Sequence, residues 1–186
     1  MRVLGLSGSL RADSYNTRLL RAAAAMLPPG AELVIHDGLG EIPPFDEDLE
    51  AGPAPAAVAD LRAAIAAADA VLIATPEYNS SIPGQLKNAL DWASRPVATN
   101  PLRGKPVAVI GASPGLFGAV WAQAELRKVL GAIGAQVLDR ELPVGSAAEQ
   151  FAADGSLSDD ALRGELASIL EQLAGAAWAV GEALAA

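Results

Sequence analysis

Gly8-Ser9-Leu10-Arg11-Ala12-Asp13-Ser14-Tyr15-Asn16 stands between an apolar run, Val3 to Leu6, and a helix-forming run that begins near Thr17. Strand, polar loop, helix is the order in which an α/β protein meets a bound phosphate. Such a loop gathers backbone N–H groups, hydroxyls and a guanidinium at the positive end of a helix dipole. Ser7, Ser9, Arg11, Ser14 and Asn16 supply side chains that suit the oxygens of an anion without a metal. The same residues also read as a capped helix start, with Ser14 or Asn16 as N-cap. Tyr15 suits helix packing at least as well as ligand contact.

Working outward, short apolar runs alternate with helical stretches. Val3–Leu6, Leu33–Ile35, Ala70–Thr75, Pro106–Gly111 and Ala135–Leu138 read as strands. Helices are expected over Thr17–Met26, Pro53–Ala67, Pro83 to before Pro96, Ala119–Leu130 and Asp159–Glu182. Gly38–Asp48 reads as a loop, and 143–157 as a connection of mixed character. Buried strands separated by helices give a parallel sheet covered on both faces. We expect one α/β domain over 1–186: a three-layer sandwich with five parallel strands in the flavodoxin-like order 2-1-3-4-5. A dinucleotide-binding fingerprint is a weak match, because Gly5-Leu6-Ser7-Gly8-Ser9-Leu10 has Ser7 and Leu10 where its second and third glycines would stand.

Two more polar loops end predicted strands. Thr75-Pro76-Glu77-Tyr78-Asn79-Ser80-Ser81-Ile82-Pro83-Gly84 offers a stiff backbone, an aromatic plane and an amide. That mixture suits a flat heteroaromatic ring, and it equally suits a plain helix entry held by proline. Glu77 reads as a partner across an interface or a cap on the following turn. Ala112-Ser113-Pro114-Gly115-Leu116-Phe117-Gly118 permits close approach to a ligand, or a simple turn. In the order 2-1-3-4-5 all three loops open on one sheet edge and flank the β1/β3 switch point.

Composition excludes several classes. The 186 residues include no cysteine and one histidine, which removes disulfides, thiolate catalysis and ordinary zinc sites. That histidine, His36, reads as a surface or capping residue, so no Ser-His-Asp triad is assembled. A Walker loop is absent. The net charge of −9 opposes nucleic acid. The amino terminus has no signal-peptide pattern, and no apolar window is long enough to span a bilayer. A soluble cytoplasmic protein is the expectation. Leu86, Leu90 and Ala93, and then Trp121, Leu126 and Val129, suit either sheet packing or an interface between copies.

The paired motifs Gly8-Ser-Leu-Arg-Ala-Asp-Ser-Tyr-Asn16 and Pro76-Glu-Tyr-Asn-Ser-Ser-Ile-Pro-Gly-Gln-Leu-Lys-Asn-Ala-Leu-Asp-Trp92 resemble those of the NADPH-dependent FMN reductase family. That family includes chromate and quinone reductases and azoreductases. The resemblance runs from Val3 to about Ala176. It implies a flavodoxin-like fold, FMN as cofactor, NADPH or NADH as co-substrate and assembly as a dimer or tetramer. It implies that Ser9, Arg11, Ser14, Asn16 and Thr17 hold the FMN phosphate. By the same likeness Pro76, Glu77, Tyr78 and Asn79 lie along the ring and ribityl chain, and Ser113 to Gly118, with Ser113 and Gly115 foremost, close the other side. Members transfer a hydride from nicotinamide to flavin and pass electrons to quinones, azo dyes, chromate or free flavin, here by an expected ping-pong sequence. Many members have two glycines where this chain has Gly115-Leu116, so the leucine adds bulk near the nicotinamide or acceptor. The site residues are therefore read as ligand-binding rather than catalytic. A flavodoxin-type electron carrier with protein partners is the alternative, and a scaffold without flavin is a third reading.

Overall fold

Five positions of a parallel sheet organise the structure, a computed structural model that describes residues 1–185. The strands are β1 (Arg2–Ser7), β2 (Glu32–His36), β3 (Ala70–Thr75), β4 (Pro106–Ala112), β5 (Gln136–Val137) and β6 (Pro143–Val144). Their order is β2-β1-β3-β4-β5, as the alternation of runs predicts, and β6 also pairs with β4. The helices are α1 (Tyr15–Met26), α2 (Glu47–Glu50), α3 (Ala56–Ala67), α4 (Gly84–Ala93), α5 (Val120–Ala132) and α6 (Asp160–Ala185).

Side chains alternate between the two faces of the sheet, so each strand feeds two cores. Leu4, Leu6, Val71, Ile73, Val107 and Val109 pack under α3, α4 and α5. Val3, Leu72, Ala108 and Ile110 pack under α1 and α6, where they meet Leu19, Leu20 and Ile169. β3 and β4 are buried along their whole length. This is why they read as continuous apolar runs rather than alternating ones.

The fifth position differs from expectation. Ala135–Leu138 is reduced to β5, and β6 pairs with β4 at the far end. β5 pairs at Pro106 and Val107, β6 at Gly111 and Ala112. The chain covers this interval from Val137 to Pro143, two residues more than β4 uses, so the ladder breaks between them. Gln123 of α5 fills the gap. Its side chain accepts from the Leu142 N–H at 3.0 Å and donates to the Leu142 carbonyl at 3.2 Å.

Smaller differences have local causes. α1 begins at Tyr15 because Ser14, extended at φ −78° and ψ 131°, accepts from the N–H groups of Asn16 and Thr17. Pro83 takes the N-cap position of α4 rather than its first turn. The loop after β2 contains a 3-10 turn at Gly38–Glu41, and α2 overlaps its end. The apolar face of α4 is not free for a partner: Leu86, Leu90, Trp92 and Ala93 are all buried in the protomer, as is Leu126 of α5. Trp121 alone of the large residues considered for an interface is substantially exposed.

Candidate functional site

β1, β3 and β4 are neighbours, so the loops that follow them rise side by side at the carboxyl edge of the sheet. The chain turns to opposite sides between β1 and β3, the place where open α/β sheets hold ligands. Loop one is 8–14, loop two 76–83 and loop three 113–119.

Loop one is built of donors. The Gly8 N–H reaches the Ala74 carbonyl at 2.8 Å and continues the β1–β3 ladder one residue further. A Cβ at Gly8 would meet Leu86, Pro76 and Thr75 at 3.0–3.4 Å, so loops one and two lie close together and a larger residue would need its neighbours to shift by a few tenths of an ångström. The Thr17 hydroxyl donates to Ser7 Oγ at 2.9 Å, and Ser7 Oγ lies 3.4 Å from the Ser9 N–H. Arg11 donates to the Asp13 carbonyl, and its guanidinium carbon lies 5.2 Å from the Tyr15 ring centroid. Tyr15 itself stacks on Phe151, with centroids 6.3 Å apart. Asp13 pairs with Arg18, and no acid stands in the first turn of α1.

Asn16 is buried, and its amide is committed elsewhere in the loop cluster. Nδ2 donates to the Ala112 carbonyl and Oδ1 accepts from the Ala112 N–H, both at 2.9 Å. This joins the start of α1 to the end of β4.

Loop two turns sharply. Tyr78 and Ser81 exchange backbone hydrogen bonds of 3.0 and 3.1 Å, and both residues between them are left-handed, Asn79 at φ 52° and Ser80 at φ 61°. These are the angles of a type I′ turn. Tyr78 stays exposed. Glu77 caps neither its own turn nor α4. Its carboxylate accepts from the N–H groups of Trp121 and Ala122, each at 3.1 Å, at the start of α5.

Loop three rests on the 143–147 segment. Ser113 N–H donates to the Val144 carbonyl at 3.0 Å, and Ser146 N–H to the Gly115 carbonyl at 2.9 Å. Ser113 Oγ turns toward the Gly115 carbonyl at 3.3 Å. Leu116 and Phe117 project outward, and Phe117 meets Trp121 edge-on with centroids 5.0 Å apart.

Several supporting contacts were not legible as motifs. Gln85, Asn88 and Trp92 share one face of α4 and hold the segment after β2. Gln85 donates to the Leu39 and Ile42 carbonyls, and Asn88 and Trp92 both donate to Pro43. Hydrogen-bonding side chains spaced i, i+3 and i+7, which share one face of a helix, are the signal for this role. Gly111-Ala112-Ser113-Pro114-Gly115 also has the Gly-x-Ser-x-Gly spacing of a hydrolase elbow. His36 cannot serve it: β1 and β3 lie between β2 and β4, a separation of roughly 14 Å at about 4.8 Å per strand. Nor does His36 cap a helix. It is half-buried, and its Nε2 is enclosed beside Gly38 with no hydrogen-bond partner among the described residues.

A cleft of about 280 Å³ adjoins loop one, lined by Ser9, Arg11, Thr17, Arg21, His36 and Gly40. A larger cleft of about 460 Å³, with Asp69, Arg103 and Lys105 in its wall, lies at the opposite edge, where the strands begin. Among the described residues no group of acids and histidine could hold a metal, and no helix is long and apolar enough to cross a membrane. The residues fit the phosphate end of FMN: the hydroxyls of Ser7, Ser9 and Thr17 and the exposed Arg11 guanidinium gather around loop one beside the start of α1, whose first turn carries no acid.

The comparisons with known proteins agree with this geometry. The family model for NADPH-dependent FMN reductase matches residues 1–149. An NAD(P)H-dependent FMN reductase of Pseudomonas aeruginosa is 48% identical over 164 residues, which cover 88% of each chain. A quinone reductase of Pseudomonas putida is 40% identical over 153 residues, 82% of each chain. Among solved structures, FerB, a flavoenzyme NAD(P)H:(acceptor) oxidoreductase from Paracoccus denitrificans, superposes with a TM-score of 0.84 at 38% identity, covering 95% of this chain and 96% of its own. With its donor-rich first loop, its strand order and these relatives, the chain belongs to the NADPH-dependent FMN reductase family and is an oxidoreductase.

Proposed function

We propose that the protein oxidises NADPH or NADH and passes the electrons, through FMN held between the three loops, to a small quinone. The carrying observation is the junction of those loops. Loop one touches loop two at Gly8, is bonded to the end of β4 through Asn16, and presents its donors beside the β1/β3 switch point. Bound FMN supplies the hydride and electron-transfer chemistry. The chain's own residues bind, orient and shield. Ser9, Arg11, Ser14 and Thr17 with the α1 terminus hold the phosphate, and Asn16 fixes that loop in place. Pro76, Tyr78 and Asn79, with the Glu77 backbone, line the ring and ribityl chain, while the Glu77 carboxylate is held at the start of α5. Ser113 and Gly115 close the opposite side, and Leu116 stands over the entrance.

A shared crevice at the β1/β3 switch point supports a ping-pong sequence in which nicotinamide leaves before the acceptor enters. Azo compounds, chromate and free flavin are further acceptors within the same reading, and a quinone is favoured by the quinone reductase relative. Steady-state NAD(P)H oxidation by the FMN-loaded protein tests it. Parallel double-reciprocal lines are expected; intersecting lines would refute the ping-pong sequence. No oxidation with any acceptor would instead favour a flavodoxin-type carrier, which the net charge of −9 supports.

In this reading one FMN-binding domain assembles as a homodimer or homotetramer in the cytoplasm. The exposed Leu116, Phe117 and Trp121, contiguous in loop three and the start of α5, support the assembly. Light scattering should report a multiple of 18.9 kDa. A monomer with full activity would refute it.

A further inference from the structure

We propose that Glu77 is a positioning residue for acceptor selection: by capping α5, its carboxylate holds Phe117 and Trp121 at the mouth of the site. The inference rests on the reading of that site as one for flavin and a small acceptor.

α5 has no cap of its own. Its N-cap position is Ala119, left-handed at φ 62°, with no side chain able to accept a hydrogen bond. The first turn of any helix carries unpaired N–H groups and partial positive charge. Here Glu77 Oε2 satisfies two of those groups, at Trp121 and Ala122, from 44 and 45 residues upstream. A carboxylate is suited to that place by charge as well as by geometry.

The tie has a consequence beyond the helix. Glu77 lies in loop two, next to Pro76 and one residue before the Tyr78–Ser81 turn. Trp121 is one of the residues it holds, and Phe117 leans on the Trp121 ring. Within the protomer Phe117 is 59% exposed and Trp121 49%, so neither is fixed by its core packing, whether or not a second copy covers them. Ala122 and Leu126, one face further in, are buried and anchor the rest of the helix. Loosening the tie therefore shifts the aromatic pair relative to loop two while the helix body stays in place. A reacting group displaced by an ångström loses much of its rate, so acceptors that touch this pair feel the change most.

The experiment uses the FMN-loaded wild type and its Glu77→Gln, Glu77→Asp and Glu77→Ala variants. Each is assayed for NADPH oxidation with benzoquinone and with a methylated naphthoquinone, for FMN Kd, and for hydrogen exchange in the 116–124 segment. Glu77→Gln keeps an oxygen that accepts, so its ratio of kcat/KM values for the two quinones should stay within about twofold of wild type. Glu77→Asp and Glu77→Ala should change that ratio by roughly three- to tenfold, mainly through KM. Exchange in the segment should rise in both, with FMN Kd altered less than about threefold. An unchanged ratio in both shortened variants overturns the proposal. So does FMN affinity that falls in step with turnover, which would make Glu77 a cofactor ligand. Where Glu77→Ala fails to fold, Glu77→Asp carries the same comparison. A wild type that oxidises NADPH with neither quinone overturns the functional reading; an active wild type with indifferent variants overturns the Glu77 proposal alone.

Discussion

Asn16 and Ala112, 96 residues apart, exchange two hydrogen bonds of 2.9 Å through the Asn16 amide. A carboxamide presents one donor and one acceptor side by side, the same pair a peptide group offers. Asn16 thus pairs with β4 as a neighbouring strand would, at the point where β4 runs out of strand partners on that side. Gln123 does the same for Leu142 across the broken fifth position. Both side chains are buried, so both carry fold as well as site.

Asn16→Ala should therefore destabilise the protein without FMN. It leaves the Ala112 N–H and carbonyl unpaired in a buried place, at a cost of about 1–3 kcal/mol. Urea unfolding of the apoprotein measures this as a lower midpoint. An unaltered apoprotein that merely binds FMN more weakly would make Asn16 a ligand only.

Arg11 presents the contrasting case. It is exposed, bonded only to the Asp13 carbonyl, and in no ion pair among the described residues. Its loss should leave folding nearly untouched and weaken FMN more than riboflavin, by about 1.5–3 kcal/mol for a charge-assisted contact to phosphate. Paired titrations with the two flavins decide it: equal weakening would place Arg11 away from the phosphate.

What was legible in the sequence follows from range. β3 and β4 were readable because burial on both faces leaves an unbroken apolar run, and α1 because Ser14 and Pro28 punctuate it. The three loops were readable because each ends a strand. Contacts across the fold were not. Nothing near Glu77 in sequence shows that its carboxylate reaches α5, since the missing cap at Ala119 lies more than forty residues away. Pro143–Val144 is too short to give any periodicity, and its pairing depends on Gln123 bridging the gap. The apolar face of α4 left two readings open, sheet packing or an interface, and only the fold decides between them: Leu86, Leu90 and Ala93 are buried in the protomer core, with the Leu39–Phe45 segment folded against the helix.

His36 gives the fold an acid sensitivity. Burial lowers its pKa, against the smaller opposing pull of Asp37 and Asp60. The unfolded chain then takes up a proton at higher pH than the folded one. Stability is fully present above the unfolded-state value, about 6.5, and declines as pH falls below it toward the lower folded value. His36→Gln removes that titration. Urea midpoints at about pH 7.5 and about pH 5.5 should differ less in the variant than in wild type. Equal differences would assign the acid sensitivity to other groups.

Leu116 and Gly145 separate the shape of loop three from its placement. A methyl at Gly145 would collide with the Leu116 carbonyl oxygen and fall 3.3 Å from that of Gly115, so loop three lies directly on this glycine. Gly145→Ala must push the loop away, and both FMN affinity and turnover should fall. Leu116→Gly leaves the support intact and removes only a side chain that is 78% exposed. FMN affinity should hold, while preference between small and bulky acceptors changes by about 1–3 kcal/mol. The two variants are read together by FMN titration and an acceptor series. An unchanged acceptor profile in Leu116→Gly removes the leucine from the entrance. Normal FMN binding in a folded Gly145→Ala protein would mean that loop three touches the acceptor alone, and that loops one and two hold the flavin without it.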